Sequence, residues 1–430
     1  MTSAAVAEAR PNVLLIMTDD QRADGTMEVM PQTRQWFEDG GTEFTRFFAT
    51  TPLCCPSRAS IFSGRYTHNH GVATNDASTV LDQNYTIQAY LKSAGYKTGI
   101  FGKYMNAWNL LRPPPFFDDW AITTASYSPI RVNENGVVKV VTQYATSYIR
   151  DNAVRFLQQS ENQDATPWFL ALWTTAPHAP YTPDTVYQNA SVPPASPNPA
   201  QTETDRLDKP PHVQASTVDP AAVEAERVAQ LRTLMSVDDM VQTVFQTLDA
   251  TGETSETLAI FTSDNGFQWG DHGVRAKGDA YDAATRVPMY MRWPGNVLPA
   301  AMDGRLAANI DLAPTIADAV GGIAPAVPMD GRSLLDPLQN RSRLLGEHEA
   351  TATKSDPGWA ALRTATSLYV EHYDARYRER IVFREYYDLV ADPFELENLL
   401  ADGSTANDPN TAALSAQLAA DRDCSGAGCP

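Results

Sequence analysis

The first apolar run of the chain is Asn12–Met17 (NVLLIM), which passes directly into Thr18-Asp19-Asp20. A short, continuous apolar run is typical of a parallel strand that is buried on both faces. Three later runs end in polar residues in the same way: Gly99–Phe101 before Lys103, Trp168–Trp173 before His178, and Leu258–Phe261 before Asp264 and Asn265. Functional groups of open α/β sheets collect beyond the carboxyl ends of the strands. We therefore predict an α/β fold whose polar residues gather along one edge of the sheet.

Helical patterns lie between these strands. Apolar residues recur every three or four positions from Val228 to Leu248, which indicates a long amphipathic helix. Asp311–Val320 is a second candidate helix, which Gly321-Gly322 would end. Residues 180–220 are rich in Pro, Thr, Asn and Asp and predict a long surface excursion.

The pattern changes near Leu335. The apolar segments beyond it are shorter and more polar, at Leu368–Val370, Ile381–Phe383 and Tyr386–Leu389, and a helical pattern covers Ala412–Leu418. This predicts a small antiparallel subdomain closed by a helix. We expect a catalytic α/β domain over residues 11–335 and a C-terminal subdomain over residues 336–430.

Composition narrows the possible partners. Apolar residues make up 43% of the 430 residues, and the formal net charge is −19. Nucleic-acid binding needs a basic face, so we expect no nucleic-acid partner. The chain has no uncharged apolar run of about 18 residues, so we also expect no membrane span. Any anion must bind at a local concentration of positive charge.

The four cysteines form two pairs, the adjacent Cys54 and Cys55 and the terminal Cys424 and Cys429. Adjacent cysteines rarely bond to each other. The glycines between the terminal pair would let a small loop close, which favours an oxidising compartment, although two free thiols remain an alternative. Met1 to Arg10 has no signal-peptide pattern. We expect a secreted or extracytoplasmic protein whose leader lies outside this sequence, and a cytoplasmic protein stays open.

The most informative segment is Leu53–Arg65 (LCCPSRASIFSGR). Pro56 suits the first turn of a helix, and Gly64 can end it. Cys54 would then precede a helix N-terminus, where free N–H groups favour an anion. Arg58 lies one turn further on and can reach back to the same point. A reduced Cys54 that only packs at a helix start is the simpler alternative.

This segment resembles the signature of the type I, formylglycine-dependent sulfatases, a cysteine followed by Pro and Arg at fixed offsets. Cys54, Pro56 and Arg58 match, whereas Cys55 fills the variable position. The run CCPSRAS is most similar to glucosamine-6-sulfatases and extracellular heparan endosulfatases. The resemblance implies an alkaline-phosphatase-like fold, with a large mixed, mostly parallel sheet between helices. It also implies that a formylglycine-generating enzyme converts Cys54 to formylglycine, whose hydrate attacks the sulfur of a sulfate ester.

The strand ends supply hard oxygen donors. Asp19, Asp20, Asp264 and Asn265 suit Ca²⁺ or Mg²⁺ rather than a soft metal, and the same four positions match the metal ligands of the family. The resemblance adds the formylglycine oxygen made from Cys54. One adjacent acidic pair is more often a solvated turn. Two such pairs at two strand ends favour a metal site, and we predict calcium, with magnesium as the alternative.

The resemblance also assigns a sulfate clamp. Lys103 and Lys277 match lysines that contact the sulfate, and His178 matches a histidine near the leaving oxygen. A histidine can transfer a proton near neutral pH and so can act as general acid. Taken alone, the two lysines would be ordinary surface residues and His178 a loop residue.

Other motif positions have supporting roles. Asp282 and Arg286 predict an ion pair that holds the loop of Lys277. Many arylsulfatases carry a histidine where this chain has Met105, so Asn106, His68 and His272 are the candidates for restraining the formylglycine hydroxyl. For His68 and His70, a packing role is an equal alternative.

The sequence therefore predicts a hydrolase of a sulfate monoester, of a sugar such as N-acetylglucosamine-6-sulfate or of an aryl alcohol. Two other functions stay open. The same scaffold serves phosphonate monoester and phosphodiester hydrolases, and a chain whose Cys54 is never converted would be an oxyanion-binding protein. The alcohol part of the substrate depends on loops and cannot be derived from composition.

Overall fold

The computed structural model describes residues 10–162, 165–349, 358–376 and 379–430. Residues 1–9, most of the segment in which no signal-peptide pattern was found, lie outside these ranges. Within them, no helix is both long enough and apolar enough to cross a membrane.

A large mixed sheet forms the centre of the molecule. Among the described residues it has ten strands, in the spatial order β13-β2-β12-β9-β1-β8-β4-β5-β6-β7. Strands are numbered along the chain: β1 Asn12–Asp19, β2 Thr42–Phe44, β3 Phe47–Phe48, β4 Lys97–Gly102, β5 Asp119–Thr123, β6 Ile130–Glu134, β7 Val137–Val141, β8 Trp168–Pro177, β9 Thr257–Ser263, β10 Gln268–Trp269, β11 Arg275–Ala276, β12 Met289–Arg292, β13 Ala301–Asp303, β14 Ala307–Ala308, β15 Arg343–His348, β16 Gly358–Thr364, β17 Ser367–Tyr373 and β18 Ile381–Asp388.

Helices cover both faces of this sheet. Along the chain the helices are α1 Pro31–Phe37, α2 Cys54–Ser63, α3 Thr67–His70, α4 Ile87–Ser93, α5 Ala145–Glu161, α6 Pro211–Gln214, α7 Pro220–Thr251, α8 Asp282–Thr285, α9 Leu312–Ala319 and α10 Thr411–Arg422, of which α10 packs on the C-terminal sheet instead. Alternate residues of β1 enter two different cores: Leu15 packs with α2, α4 and α9, whereas Leu14 packs with α1, α5 and α7. Because both faces of β1 are buried, the strand needs an uninterrupted apolar sequence. The predicted α/β class and the long helix are confirmed.

The order of the central strands explains where the polar residues meet. β9, β1, β8 and β4 are adjacent and mutually parallel. Their carboxyl ends therefore lie along one edge of the sheet. The four predicted strands are confirmed at this edge, although β8 runs four residues beyond Trp173, to Pro177.

The C-terminal part forms a separate antiparallel sheet of four strands among the described residues, in the order β15-β16-β17-β18. The predicted sheet and its closing helix α10 are confirmed. The segments Ile381–Phe383 and Tyr386–Leu389 were expected as two strands, which is wrong: one strand, β18, spans both as far as Asp388, because its pairing with β17 continues across them. We propose that the boundary between the two domains lies near residue 335.

Two further predictions concern the terminal cysteines and the long segment between β8 and α7. A disulfide joins Cys424 and Cys429, so the expected loop closure is confirmed. The predicted excursion over residues 180–220 is confirmed as far as residue 219; it is irregular except for α6 and a short 3₁₀ turn at Pro199–Thr202, and Pro220 begins α7.

Candidate active site

Two consecutive aspartates at the end of β1 face the same point. Consecutive residues of a strand normally project to opposite faces. Asp20, however, has a φ of +70°, and the pairing of β1 with β8 is irregular between Met17 and Asp19. Aspartate tolerates this left-handed conformation better than most residues. The turn of the backbone at Asp20 therefore brings both carboxylates to one side, beside Asp264.

Cys54 lies next to these carboxylates. Its Sγ is 3.3 Å from Oδ1 of Asp19 and 4.0 Å from Oδ1 of Asp20. Ligand atoms of Asp19, Asp20, Cys54 and Asp264 all lie within 4.8 Å of one another, and all four residues are buried. Residues 245 positions apart are thus assembled by the shared sheet edge and by helix α2.

Helix α2 begins at Cys54 itself, with Leu53 as the N-cap residue. We expected Cys54 just before the helix, which is wrong by one position, because Leu53 is the N-cap residue. Pro56 was expected in the first turn, and its place as the third helical residue confirms this. Gly64 ends the helix with a φ of +67°, as predicted. The side chain of Asn75 accepts a hydrogen bond from the backbone N–H of Cys55 at 2.9 Å, which satisfies one of the free donors of the first turn.

Arg58 orients two of the acids. Its Nε donates to Asp264 at 2.9 Å and its Nη2 to Asp19 at 3.0 Å, and its Nη1 donates to the carbonyl groups of Lys103 and Tyr104. Burial would lower the pKa of Arg58, but the charges of Asp264 and Asp19 raise it above its usual value. The guanidinium was expected to reach back toward Cys54. It hydrogen-bonds to Asp19 and Asp264 instead, and Asp19 in turn lies beside the Cys54 sulfur.

Two lysines bring positive charge to the same place. Nζ of Lys277 lies 2.9 Å from Sγ of Cys54 and 3.1 Å from Oδ1 of Asn265, and it forms an ion pair with Asp20. Nζ of Lys103 forms an ion pair with Asp19. The expected ion pair between Arg286 and Asp282 forms, at 3.0 Å, across helix α8, which follows the Lys277 segment; its role in holding that segment stays a prediction.

The pKa values of the acids move in different directions. Burial would raise the pKa of Asp19, but nearby cations, Lys103 foremost, lower it strongly. Burial and the charge of Asp19 raise the pKa of Asp264. Burial, followed by the charge of Asp19, raises the pKa of the Cys54 thiol to about 12. The encoded thiol is therefore a weak nucleophile in this environment.

His178 lies where the site meets solvent, with 27% of its side chain exposed. Its Nε2 is 3.8 Å from Oδ2 of Asp20. Its Nδ1 is 2.7 Å from the carbonyl oxygen of Ala179, and its own carbonyl accepts a hydrogen bond from the hydroxyl of Tyr127 at 2.7 Å. These contacts direct Nε2 toward the acids.

The three candidates for restraining position 54 differ. Oδ1 of Asn106 is buried and has no hydrogen-bond partner among the described residues, so it can accept one. His68 contacts Glu347 at 2.9 Å and the carbonyl of Cys424 at 3.0 Å. His272 contacts Glu203 at 2.8 Å. Neither histidine hydrogen-bonds to Cys54 in this structure, so a role for them there stays a prediction. His70 contacts Ser60 at 3.0 Å, within the packing behind α2.

The sequence did not single out the residues that attach α2 to the segment following β9. The hydroxyl of Ser57 donates to the carbonyl of Asp264, and it accepts from Nδ2 of Asn309 at 2.9 Å. Oδ1 of Asn309 in turn accepts from the backbone of Thr50 at 3.2 Å. Asn309 lies in a 3₁₀ turn 252 residues from Ser57 and belongs to no motif, so no sequence signal identifies it.

The donor set fits a hard divalent cation. Asp19, Asp20, Asp264 and Asn265 present carboxylate and amide oxygens, and all four residues are buried. The ammonium of Lys277 already lies against oxygens of Asp20 and Asn265, so these oxygens face positive charge. Oxygen donors of this type are the ligands that Ca²⁺ and Mg²⁺ prefer.

Comparison with known proteins agrees with this geometry. The sulfatase family model matches residues 11–323, and a model of the C-terminal region of N-sulphoglucosamine sulphohydrolase matches residues 270–423. The chain therefore belongs to the sulfatase family, a class of sulfuric ester hydrolases.

Individual relatives are similar over most of this chain. An N-acetylglucosamine-6-sulfatase of Capra hircus is 30% identical over 93% of this chain and 81% of its own length. An extracellular sulfatase homologue of Drosophila melanogaster is 34% identical over 80% of this chain, which spans only 33% of that longer protein. A solved structure, described as a complex with its substrate D-glucosamine-2-N,6-O-disulfate, has a TM-score of 0.81 at 22% identity and covers 95% of this chain and 97% of its own. At that identity the likeness shows the fold.

Proposed function

We propose that this chain hydrolyses the sulfate monoester of a sulfated sugar, with N-acetylglucosamine-6-sulfate as the first candidate. The observation that carries the proposal is the position of Cys54 Sγ, 2.9 Å from the ammonium of Lys277 and 3.3 Å from the carboxylate of Asp19. The choice of sugar is supported by the N-acetylglucosamine-6-sulfatase relative, which is matched over 93% of this chain.

The cation would be held by Asp19, Asp20, Asp264, Asn265 and the oxidised side chain at position 54. Calcium is our first choice, because it accepts more oxygen ligands and a less regular geometry than magnesium does. When bound, a divalent cation polarises the sulfate oxygens and stabilises the charge that develops as the ester breaks.

Position 54 would act as formylglycine. A hydrated aldehyde offers one hydroxyl for attack on sulfur and a second one whose deprotonation later expels the sulfate, which a thiol cannot do. Position 54 begins α2, so the free N–H groups and the positive end of the helix dipole favour an anion at this place. The free Oδ1 of Asn106 is our choice for accepting a hydrogen bond from the hydrated side chain.

The chain supplies the rest of the charge balance. Asp19, Asp20 and Asp264 carry three negative charges, which Arg58, Lys103 and Lys277 neutralise. A divalent cation then leaves an excess of about two positive charges, enough to attract a sulfate ester despite the acidic surface. Lys103 and Lys277 are fixed by ion pairs before substrate arrives and therefore pay little reorganisation cost when they hold the sulfate oxygens.

His178 would protonate the departing alcohol from Nε2. The contact of Nδ1 with the carbonyl of Ala179 keeps a proton on Nδ1, so the acid form carries its transferable proton on Nε2. This nitrogen faces Asp20 at the solvent side of the site, where the alcohol must leave.

The cellular setting follows from the same proposal. A formylglycine-generating enzyme would act on the chain transiently, and the disulfide between Cys424 and Cys429 favours an extracytoplasmic location. The similarity to a relative named as an extracellular sulfatase supports that location.

Parallel assays test the proposal. Wild-type protein with calcium is given N-acetylglucosamine-6-sulfate, an aryl sulfate, and the phosphate and phosphonate esters of the same aryl alcohol. We expect the highest kcat/KM with a sulfate ester and sulfate release from the sugar. A clear preference for phosphate or phosphonate would replace the proposal with the phosphoryl hydrolase, and tight sulfate binding without any turnover would replace it with the oxyanion-binding protein.

A further inference from the structure

The proposed mechanism needs Lys277 to stay in one place, although the backbone around it is easily deformed. Lys277 lies between strand β11, which ends at Ala276, and helix α8, which begins at Asp282. The backbone on either side of the lysine lies at positive φ, +88° at Ala276 and +127° at Gly278. This conformation strains an alanine, and a glycine can leave it at little cost. Such a backbone persists only where contacts from other elements hold it.

Trp359, in strand β16 of the C-terminal sheet, bonds to this segment directly. Its indole Nε1 donates to the carbonyl oxygen of Gly278 at 2.7 Å, one residue beyond Lys277. Trp359 is only 3% exposed, and Ala280 packs in the same apolar cluster. A buried carbonyl that loses its donor costs free energy, so this contact resists movement of the backbone at Gly278.

The residues after Gly278 are held in the same way, each by an element outside the central sheet. The contacts are Nε2 of His212 in α6 with Asp279 at 2.7 Å, the hydroxyl of Tyr281 with Glu385 in β18 at 2.8 Å, and the backbone N–H of Asp282 with the carboxylate of Glu395 at 3.0 Å. Tyr281 and Glu385 are both buried. The segment that follows Lys277 is therefore attached to the C-terminal sheet at successive points.

The ammonium group at the other end of this arrangement is the one that meets the proposed nucleophile. It lies 2.9 Å from Sγ of Cys54 and also contacts Asp20 and Asn265. The four-carbon side chain of a lysine is flexible, so the position of the ammonium depends on where the backbone is held. A displacement of about 1 Å at a reacting group can cost a factor of about 100 in rate. The contacts with the C-terminal sheet therefore bear on catalysis.

We propose that the C-terminal sheet positions Lys277 for the substrate sulfate and that Trp359 is the positioning residue nearest to it. Trp359 acts through the carbonyl of Gly278 and not on the substrate itself. The inference rests on the proposed function, in which Lys277 holds the sulfate, and it gives the C-terminal sheet a part in that function.

Calorimetric binding of inorganic sulfate to the calcium-loaded Cys54→Ala protein tests the proposal without turnover. Trp359→Phe keeps an aromatic ring in the cluster and removes the indole donor. We expect it to weaken sulfate binding by about 3- to 10-fold, as the loss of one hydrogen bond can provide. In a protein that also carries Lys277→Met, Trp359→Phe should have no further effect, because the ammonium that it positions is already absent. With Cys54 retained, kcat/KM for sulfate release should follow the same pattern.

Two more variants complete the test. Tyr281→Phe removes the hydrogen bond to β18 and should also weaken sulfate binding only when Lys277 is present. Trp36→Phe removes a comparable indole hydrogen bond, of 2.6 Å between α1 and α7, and should leave sulfate binding unchanged.

Three results would overturn the proposal: no sulfate binding by the parent protein, no loss of affinity in Trp359→Phe and Tyr281→Phe, or a loss that is the same with and without Lys277. The last result would mean that these residues only stabilise the fold. Sulfate release by the wild-type protein tests the proposed function separately, because binding of inorganic sulfate requires no ester hydrolysis.

Discussion

The ammonium group of Lys277 lies 2.9 Å from Sγ of Cys54, although 223 residues separate the two in the chain. The same ammonium contacts oxygens of Asp20 and Asn265. The ammonium of Lys277 thus contacts both Cys54, the residue proposed to react, and two of the proposed cation ligands. Its charge should assist the substrate sulfate and oppose the cation.

Replacing Lys277 by methionine should therefore have two opposite effects. We expect kcat/KM for sulfate release to fall by about 10² to 10³, because a preorganised positive charge at the reacting group is lost. Calcium affinity should stay the same or rise, since a cation that repels calcium has been removed. Sulfate-release kinetics and a calcium titration give the two numbers.

The control for this substitution is Lys139→Met, in the exposed pair with Glu134 at the edge strand β7, which should change neither number. Loss of calcium binding in Lys277→Met would mean that the lysine maintains the shape of the site instead.

Asp264→Asn should weaken calcium binding by at least about 10-fold, because it removes the charge of one proposed ligand from a buried cluster of oxygen donors. The amide keeps the shape of the side chain, so most of the packing around Arg58 is retained. Metal content after dialysis and a calorimetric calcium titration measure the change. Asp238→Asn is the matched control. Asp238 is also buried, but its carboxylate accepts a hydrogen bond from the backbone N–H of Thr33 in α1 at 2.6 Å. Asp238→Asn should therefore lower the stability of the protein without altering its calcium affinity. Equal calcium affinity in Asp264→Asn and wild type would remove Asp264 from the ligand set.

The two adjacent cysteines should behave differently. Cys54→Ala should abolish sulfate release, because no nucleophile remains at the start of α2, and it should leave a folded protein. Cys55 packs in the core beneath the sheet, so Cys55→Ala should keep the activity and lower the free energy of unfolding by roughly 1 kcal/mol. Activity assays and urea unfolding of both variants separate the two roles. An inactive Cys55→Ala protein with an active Cys54→Ala protein would mean that the other cysteine reacts.

Stability should depend on pH through Glu395, which is buried beside Asp282 and Arg363. Burial, followed by the charge of Asp282, raises the pKa of Glu395 to about 7, above the ordinary value of 4.5. The folded protein therefore binds this proton more tightly than the unfolded chain does. Its contribution is present below pH 4.5 and is lost as the pH rises through 7, by up to about 3 kcal/mol.

Glu395→Gln should remove this dependence. The wild type loses stability as the pH rises from 5 to 8, whereas the variant does not lose this contribution. We therefore expect the free energy of unfolding of the variant minus that of the wild type to increase by roughly 2 to 3 kcal/mol between pH 5 and 8. Urea unfolding at several pH values measures it, and the exposed Glu397→Gln serves as control. A difference between Glu395→Gln and wild type that is constant with pH would contradict the assignment.

The sequence predicted the parts of the site that follow from strand ends. Asp19, Asp264, Lys103 and His178 each follow a continuous apolar run, and parallel strands bring such positions to one edge. The rest depends on local geometry that no periodicity encodes. The positive φ of Asp20 turns its carboxylate beside that of Asp19, and a regular strand would have pointed it away.

Long-range side-chain contacts were equally invisible in the sequence. Asn309 reaches Ser57 only because the 3₁₀ turn before α9 packs on helix α2. His68 lies close to Cys54 in sequence, but it bonds to Glu347 and to the C-terminal segment, since α3 turns toward that segment. In the C-terminal sheet, β15 and β16 were not predicted, although β16 has seven residues, as many as the predicted β17.

The most direct test of the account is the mass of the peptide that contains Cys54, taken from protein that has been shown to release sulfate. We expect the CH₂SH side chain at position 54 to be replaced by an aldehyde, while Cys55 in the same peptide keeps its thiol. An active protein whose peptide retains both thiols would contradict it.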